Sequence, residues 1–337
     1  MQAITYQRFG SPDVLQVRDV PRPEPAAGEV LVRIHAAAAN AWDWHFMRGE
    51  PWIARLNGAG LRRPRHPILG GDIAGVVESV GGGVTRFRAG DEVFGFIGFG
   101  GFAEYVAVSE GLLARKPANL SFEQAATVPL ASMTVLQGVR DLAKVQPGQR
   151  VLIIGASGGL GTFAVQIAKV FGAEVTGVSS TRNLGLVRSA GADHVIDYTT
   201  TDYLASGERY DVVWQLAGTT SASALRRIVT PKGAIVLTSA DSKGRILGPM
   251  GRLLKGVLLG RFVGQTIANI PHHPNAADLE AVRDLVEAGK VTPVIERTFP
   301  LADTAAAIRH LETGRARGKV AIAVAAVAAQ ARTRVAA

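Results

Sequence analysis

The chain has 337 residues, 47% of them hydrophobic and 19% charged, which at about 150 residues per domain predicts two globular domains. It contains no cysteine, so disulfides, thiolate nucleophiles and cysteine-ligated zinc are excluded. The net charge is +9, but the basic residues are scattered and no base-stacking motif accompanies them, so the charge reads as an arginine-biased composition that also suits an anionic cofactor.

The longest apolar stretches, such as Val151–Ile154 and Ala321–Ala329, fall short of the roughly 20 residues of a membrane span. The opening Met1–Tyr6 has no basic region followed by an apolar one, so no secretory signal is read there. A cytoplasmic location is expected, with no nucleic-acid partner.

The first 120 residues are β-rich. Met1–Tyr6, Val14–Asp19, Val30–Ala38, Ile73–Val80 and Glu92–Gly95 are short apolar or alternating runs between glycine and proline punctuation. They predict an irregular, mostly antiparallel β domain. Ser121-Phe122-Glu123-Gln124 has the form of a capping box and opens a helix. A second helix is expected over Ala131–Ala143, before Pro147-Gly148.

Strands and helices then alternate. Strands are expected at Arg150–Ile154, Glu174–Val178, Val195-Ile196, Asp211–Leu216 and Ala234–Thr238, with helices at Gly159–Phe171, Asn183–Ala190 and Ala222–Ile228. This order implies a parallel, doubly wound sheet, an α/β fold. Lys243–Ile270 mixes apolar and basic residues and reads as a packed helix beside a pocket or subunit interface, with a place on a membrane surface as the alternative. After a helix at Ala277–Ala288, strands at Val291–Ile295 and Val320–Val324 are expected to return to the first domain. Ala325–Ala337 reads as a frayed end.

Ala156-Ser157-Gly158-Gly159-Leu160-Gly161 lies between a predicted strand and a predicted helix. Gly158 lets the backbone approach a pyrophosphate, and Gly161 lets the helix pack on the strand. The helix start then receives the phosphates. The next strand ends in Val178-Ser179-Ser180-Thr181-Arg182, with no carboxylate placed for a ribose 2′-hydroxyl. Two hydroxyls and a guanidinium suit a 2′-phosphate, so NADPH is the expected cofactor.

These residues, with Asn40–Trp44, Gly70–Val77, Ala89–Val93, Gln166–Lys169, Gly191–Tyr198 and Gly314–Lys319, resemble the zinc-independent quinone oxidoreductase and enone reductase branch of the medium-chain dehydrogenase/reductase superfamily. The likeness runs from about Met1 to Val324 and is nearest to NADPH-dependent alkenal, enone or quinone reductases. It implies a Rossmann NADP(H)-binding domain over 125–270. A GroES-like catalytic domain would comprise 1–124 and 271–337.

Zinc-dependent relatives carry a Cys near the position of Asn40 and a Gly-His-Glu motif. Here the latter is Gly70-Gly71-Asp72, and Asp72 alone cannot build a zinc site. No metal is expected.

The resemblance places Ser157, Gly158, Gly159, Leu160 and Gly161 at the pyrophosphate, and Ser180, Arg182 and Tyr198 at the adenosine end. Gln215, Leu216, Ala217, Ser239, Arg315, Ala316 and Arg317 complete the cofactor positions it implies. It brings Asn40 near the nicotinamide and implies a homodimer.

The reaction expected is hydride transfer from NADPH to a quinone or to the β-carbon of an enone. Asn40, His45 and Lys319 are the candidates to meet the charge that develops on the substrate oxygen and to supply its proton. His272 and His273 read as a solvated turn before Pro274, with a place facing the cleft as the alternative. Trp42, Trp44, Phe46 and Trp52 are shared between a flat pocket and the β core. Arg55–His66 reads as a surface loop, with gating or preference for anions as its functional alternative. Two other functions are open at this level: an enoyl-thioester reductase, and an NADPH-regulated RNA-binding protein of the zeta-crystallin kind.

Overall fold

The computed structural model describes residues 1–52, 55–238, 249–260, 262–270 and 272–324. The chain divides into two units. The first holds Met1–Leu130, Pro274–Ala288 and the residues from Pro293 on; the second holds Ala131–His273 and Gly289–Thr292.

The alternating runs of the first unit form antiparallel strands. β1 (Gln2–Thr5) pairs with β2 (Gln16–Asp19). β3 (Glu29–Ala39) pairs with β4 (Asp72–Val80) and also with β6 (Tyr105–Ser109). β4 continues to β5 (Glu92–Phe96), and β5 to β7 (Leu113–Arg115). A Cβ on Gly75 of β4 would stand 2.2 Å from the Arg33 carbonyl oxygen, so glycine is needed where these two strands approach.

Helix α1 (Ala41–Arg48) follows β3 directly and stops at Gly49, which takes the left-handed conformation. Helix α2 (Phe122–Ala126) starts from the Ser121–Gln124 capping box that the sequence predicts. Helix α3 (Pro129–Gln137) carries the chain into the second unit and ends in a π-helical turn, Gly138–Leu142. The expected Ala131–Ala143 helix therefore begins two residues earlier and is not α-helical to its end.

In the second unit the order is β8 (Arg150–Ile154), α4 (Gly161–Val170), β9 (Glu174–Ser179), α5 (Leu184–Ser189), β10 (His194–Asp197), β11 (Tyr210–Gln215), α6 (Ala222–Leu225), β12 (Val229–Leu237), α7 (Pro249–Gly260) and β13 (Thr266–Ala268). The six strands are parallel, in the order β10-β9-β8-β11-β12-β13. Strands covered on both faces need near-continuous burial, and Val151–Ile154 supplies it. Trp214 is fully buried beside Gly138, where a Cβ would come within 2.5 Å of the indole.

The chain then returns to the first unit with α8 (Ala276–Glu287), β14 (Ile295–Pro300), α9 (Thr304–Glu312) and β15 (Lys319–Ala323). β15 pairs with β3 and β14 with β15, so both strands join the first unit's sheet, as expected. The Val291–Ile295 expectation is corrected: the strand begins only at Ile295. Pro293 has no N–H to give a ladder, and the Val294 carbonyl accepts from Lys319 N.

Of the Lys243–Ile270 segment, residues 243–248 and 261 lie outside the described residues. The rest holds α7 and β13. Among the described residues, no helix is long and apolar enough to cross a membrane.

Candidate active site

Four polar side chains meet inside the first unit, at the junction of β3, β4 and β15. Asn40 follows β3 and caps α1, Asp43 lies in the first turn of α1, Asp72 opens β4 and Lys319 opens β15. Relative exposures are 0% for Asp43 and Asp72, 3% for Lys319 and 7% for Asn40. Buried charges persist only when paired and hydrogen-bonded, and these are.

Lys319 Nζ donates to Asn40 Oδ1 at 2.5 Å and lies 3.5 Å from Asp72 Oδ2. Asn40 Nδ2 donates to Asp72 Oδ2 at 3.0 Å and to the Ala38 carbonyl at 3.3 Å. Both amide hydrogens of Asn40 are thus committed, and its oxygen serves the ammonium. Asp72 Oδ1 accepts from the backbone N–H of Leu130 at 2.8 Å.

Asp43 fixes two backbone segments. Its Oδ2 accepts from Asn40 N at 2.8 Å and its Oδ1 from Gly70 N at 2.9 Å. Gly70 has φ +95, and a Cβ there would stand 2.5 Å from Phe102 N. The Gly70-Gly71-Asp72 turn therefore depends on glycine and delivers Asp72 to Lys319.

Burial dominates the titration of this cluster. It pushes the Asp43 carboxyl up to about 7, against the two backbone N–H groups; Asp72 adds to the rise and Lys319 opposes it. Burial also raises Asp72, opposed chiefly by Lys319. The same burial lowers Lys319, and the Asp72 and Asp43 carboxylates work to keep it charged.

His45 lies in the last turn of α1. Its Nδ1 is 3.0 Å from the Glu50 carbonyl oxygen, which can only accept, so Nδ1 carries the hydrogen. Its ring stacks on Trp44 at 3.6 Å. Trp42 packs against Phe46, Phe96 and Phe99, with its indole N–H on the Gly98 carbonyl. Trp44 and Phe46 pack on the β core, whereas Trp52 is exposed.

Arg315, Ala316 and Arg317 lie just before β15. Glu296 accepts from the Arg317 backbone N–H at 2.9 Å, and Ala316 packs on the core.

In the second unit, the glycine turn follows β8. Gly155 has φ +90, and a Cβ there would meet the Ala217 Cβ at 2.7 Å. A Cβ on Gly161 would lie 2.2 Å from the Gly155 carbonyl oxygen, which accounts for the last glycine. A Cβ built on Gly158 would find its nearest atom, the Gly155 carbonyl oxygen, at an ordinary contact distance of 3.5 Å, so the surrounding protein does not itself require glycine there. Ser157 Oγ accepts from Asn183 Nδ2 at 3.0 Å.

Two buried side chains point to a missing partner. Gln215, at the carboxyl end of β11, is 0% exposed, and among the described residues neither its amide oxygen nor its nitrogen has a hydrogen-bond partner. Asn183 Oδ1 likewise has no partner among the described residues. Leu216 N and Ala217 N both donate to the Ile154 carbonyl, which brings the end of β11 against the glycine turn. Unmet polar groups beside an open glycine turn at the carboxyl ends of parallel strands fit a dinucleotide.

Arg182 follows β9 and is exposed, Ser180 is half-buried and Tyr198 is 58% exposed. A carboxylate does reach this loop. Asp197, paired across the sheet with Ser179, accepts from Thr181 Oγ1 at 2.5 Å and from Thr199. Ser239 lies outside the described residues. His272 is half-buried with Nδ1 3.1 Å from Thr134 Oγ1, and Gln137 brackets His273, so these histidines do not form a merely solvated turn. Asn183, Asp43 and the Asp72–Lys319 pairing were not among the expected site features.

Residues 26–118 match the family described as alcohol dehydrogenase GroES-like domain, and residues 190–322 the family described as zinc-binding dehydrogenase. The chain is 36% identical to the 2-methylene-furan-3-one reductase of Solanum lycopersicum, over 96% of this chain and 79% of that one. It is 34% identical to the chloroplastic NADPH-dependent alkenal/one oxidoreductase of Arabidopsis thaliana, with the same coverage of 96% and 79%. The solved quinone oxidoreductase from Coxiella burnetii superposes with a TM-score of 0.85 at 31% identity, over 96% of this chain and 99% of that one.

A zinc ion, which one matched family's description implies, does not fit the donors present. The Asp72 oxygens serve an ammonium, an amide and a backbone N–H, and the chain has no cysteine.

Proposed function

The chain belongs to the quinone oxidoreductase and enone reductase branch of the medium-chain dehydrogenase/reductase superfamily, and we propose on that footing that it reduces quinones or α,β-unsaturated carbonyls with NADPH. The observation that carries the reading is the buried Lys319 ammonium, bound by Asn40 and facing Asp72. Reduction of a conjugated carbonyl builds negative charge on the oxygen, and a buried cation stabilises that charge far better than water does.

NADPH, when bound, supplies the hydride. Ser157, Gly158, Gly159, Leu160 and Gly161 would hold its pyrophosphate, with Gln215, Leu216 and Ala217 beside them. Arg182, Ser180 and Tyr198 would take the adenosine end, and Arg315, Ala316, Arg317 and Ser239 would add further contacts. The second unit is thus the cofactor domain, and the first carries the groups that meet the substrate oxygen.

Lys319 Nζ gives its proton to that oxygen. Asn40 and Asp72 orient the ammonium, and Asp72 keeps it charged. Asn40 acts through Lys319, since both its amide hydrogens are committed. His45 is the second candidate donor, and in its neutral form Nε2 has no hydrogen to give.

A homodimer and a cytoplasmic location belong to the same proposal. Leu254, Val257, Leu258 and Phe262 are all more than 40% exposed on and just after α7, which packs beside the edge strand β13; this row supports an interface there.

The test is product analysis with NADPH deuterated at the nicotinamide C4. Deuterium on the β-carbon of a saturated ketone, or a quinol formed with consumption of NADPH, supports the reading. Deuterium at a carbinol carbon, from reduction of the carbonyl itself, would overturn it.

A further inference from the structure

The first unit contains a concavity, of about 710 Å³, that the proposed reaction does not use. Arg8, Arg18, Arg62 and Arg63 line it, and Asp13 is the one acid on its wall. Asp13 is already neutralised: Ser11 Oγ donates to it at 2.9 Å and Arg309 pairs with it from α9. The guanidinium groups of Arg8, Arg62 and Arg63 have no hydrogen bond or ion pair among the described residues. Arg18 spends Nε and Nη2 on Gln16 and keeps its other donors.

The arginines stand on a fixed backbone. A Cβ on Gly60, at φ +101, would lie 2.2 Å from the Arg63 carbonyl oxygen, so glycine is required for the turn that presents Arg62 and Arg63. Arg65 N donates to the Ala59 carbonyl, Tyr6 N donates to the Pro67 carbonyl, and Thr5 bridges to Ile68. The turn is therefore held against the end of β1, which carries Arg8 close behind it.

Four arginines line one hollow, and the one acid among its lining residues is already paired with Arg309 from outside it. Guanidinium forks match phosphate oxygens in pairs, and the volume is that of a small-molecule site. We propose that this concavity binds an oligophosphate, as the free ion or as the phosphate chain of a nucleotide. The proposal is independent of the reductase reading, because none of these residues belongs to the glycine turn or to the Lys319 cluster.

The experiment titrates the full chain, saturated with NADPH to fill the cofactor site, with inorganic tripolyphosphate and then with adenosine triphosphate, by calorimetry. One site per chain is expected, with affinity that falls as salt rises. Arg62→Ala/Arg63→Ala should weaken it about tenfold or more. The control Arg227→Ala/Lys232→Ala removes two exposed charges from the second unit and should change it less than about twofold. A nucleotide that binds more tightly than tripolyphosphate identifies a nucleotide site; equal affinity identifies a site for the phosphate chain alone. Absence of binding at about 1 mM, or equal weakening by the control pair, overturns the proposal.

Discussion

The Lys319 ammonium lies 3.5 Å from the Asp72 carboxylate, and both side chains are almost entirely removed from water. Neither charge is stable there alone. Removing one partner of a buried pair costs about 3–5 kcal/mol because the other is left uncompensated. Lys319→Met should therefore lower stability by that amount. It should also reduce kcat about 100-fold or more, as loss of a general acid does. Asp72→Asn/Lys319→Met should recover much of the stability and none of the activity. Thermal melts and steady-state rates on the three proteins separate the two effects.

The second prediction concerns pH. Asp43 has its carboxyl raised from 3.8 to about 7 by burial, so the folded state binds a proton that the unfolded chain has released. Its contribution to stability is fully present below the unfolded value and is lost as pH rises through the folded one. Asp43→Asn cannot ionise. The melting temperature of the wild type should thus fall relative to Asp43→Asn between about pH 4 and about pH 8. Melting curves that stay parallel across this range would show that Asp43 carries no such proton.

Gln215 gives the third. A buried amide without partners costs about 1–3 kcal/mol. Gln215→Met keeps the volume and removes the cost, so the cofactor-free protein should melt higher. If the amide serves the cofactor, NADPH should bind roughly tenfold more weakly. A higher melting temperature with unchanged affinity would remove Gln215 from the cofactor site.

The fourth concerns which cofactor is used. Arg182 is the one cation in the Ser180–Arg182 loop, while Asp197 is spent on Thr181 and Thr199. Arg182→Ala should lower kcat/KM for NADPH about tenfold and leave that for NADH nearly unchanged. Equal losses with both would place Arg182 away from the 2′-phosphate.

What the sequence shows clearly is local. The glycine turn after β8 and the Ser121–Gln124 capping box are each written within a few residues, and both form as the spacing predicts. The Lys319–Asn40 bond joins residues 279 positions apart, and no local pattern announces it. Helix α1 was legible only through its start: Asn40 and Asp43 have capping spacing, but the aromatic run Trp42, Trp44, Phe46 alternates like a strand. β13 has three residues, too few for a periodicity. Asp197 is not legible as a neighbour of this loop because it lies 18 residues beyond Ser179 in the chain, and only the parallel register of β10 on β9 sets it beside the end of β9.

The central claim is reduction of a conjugated carbonyl without zinc. The most direct measurement is the loss of NADPH absorbance with a quinone, a short alkenal and an enoyl thioester, together with NADP reduction by a primary alcohol, each with and without a chelator. The account predicts that the quinone or the alkenal oxidises NADPH at a rate the chelator leaves unchanged. Chelator-sensitive oxidation of the alcohol, with no turnover of quinone or alkenal, would contradict it.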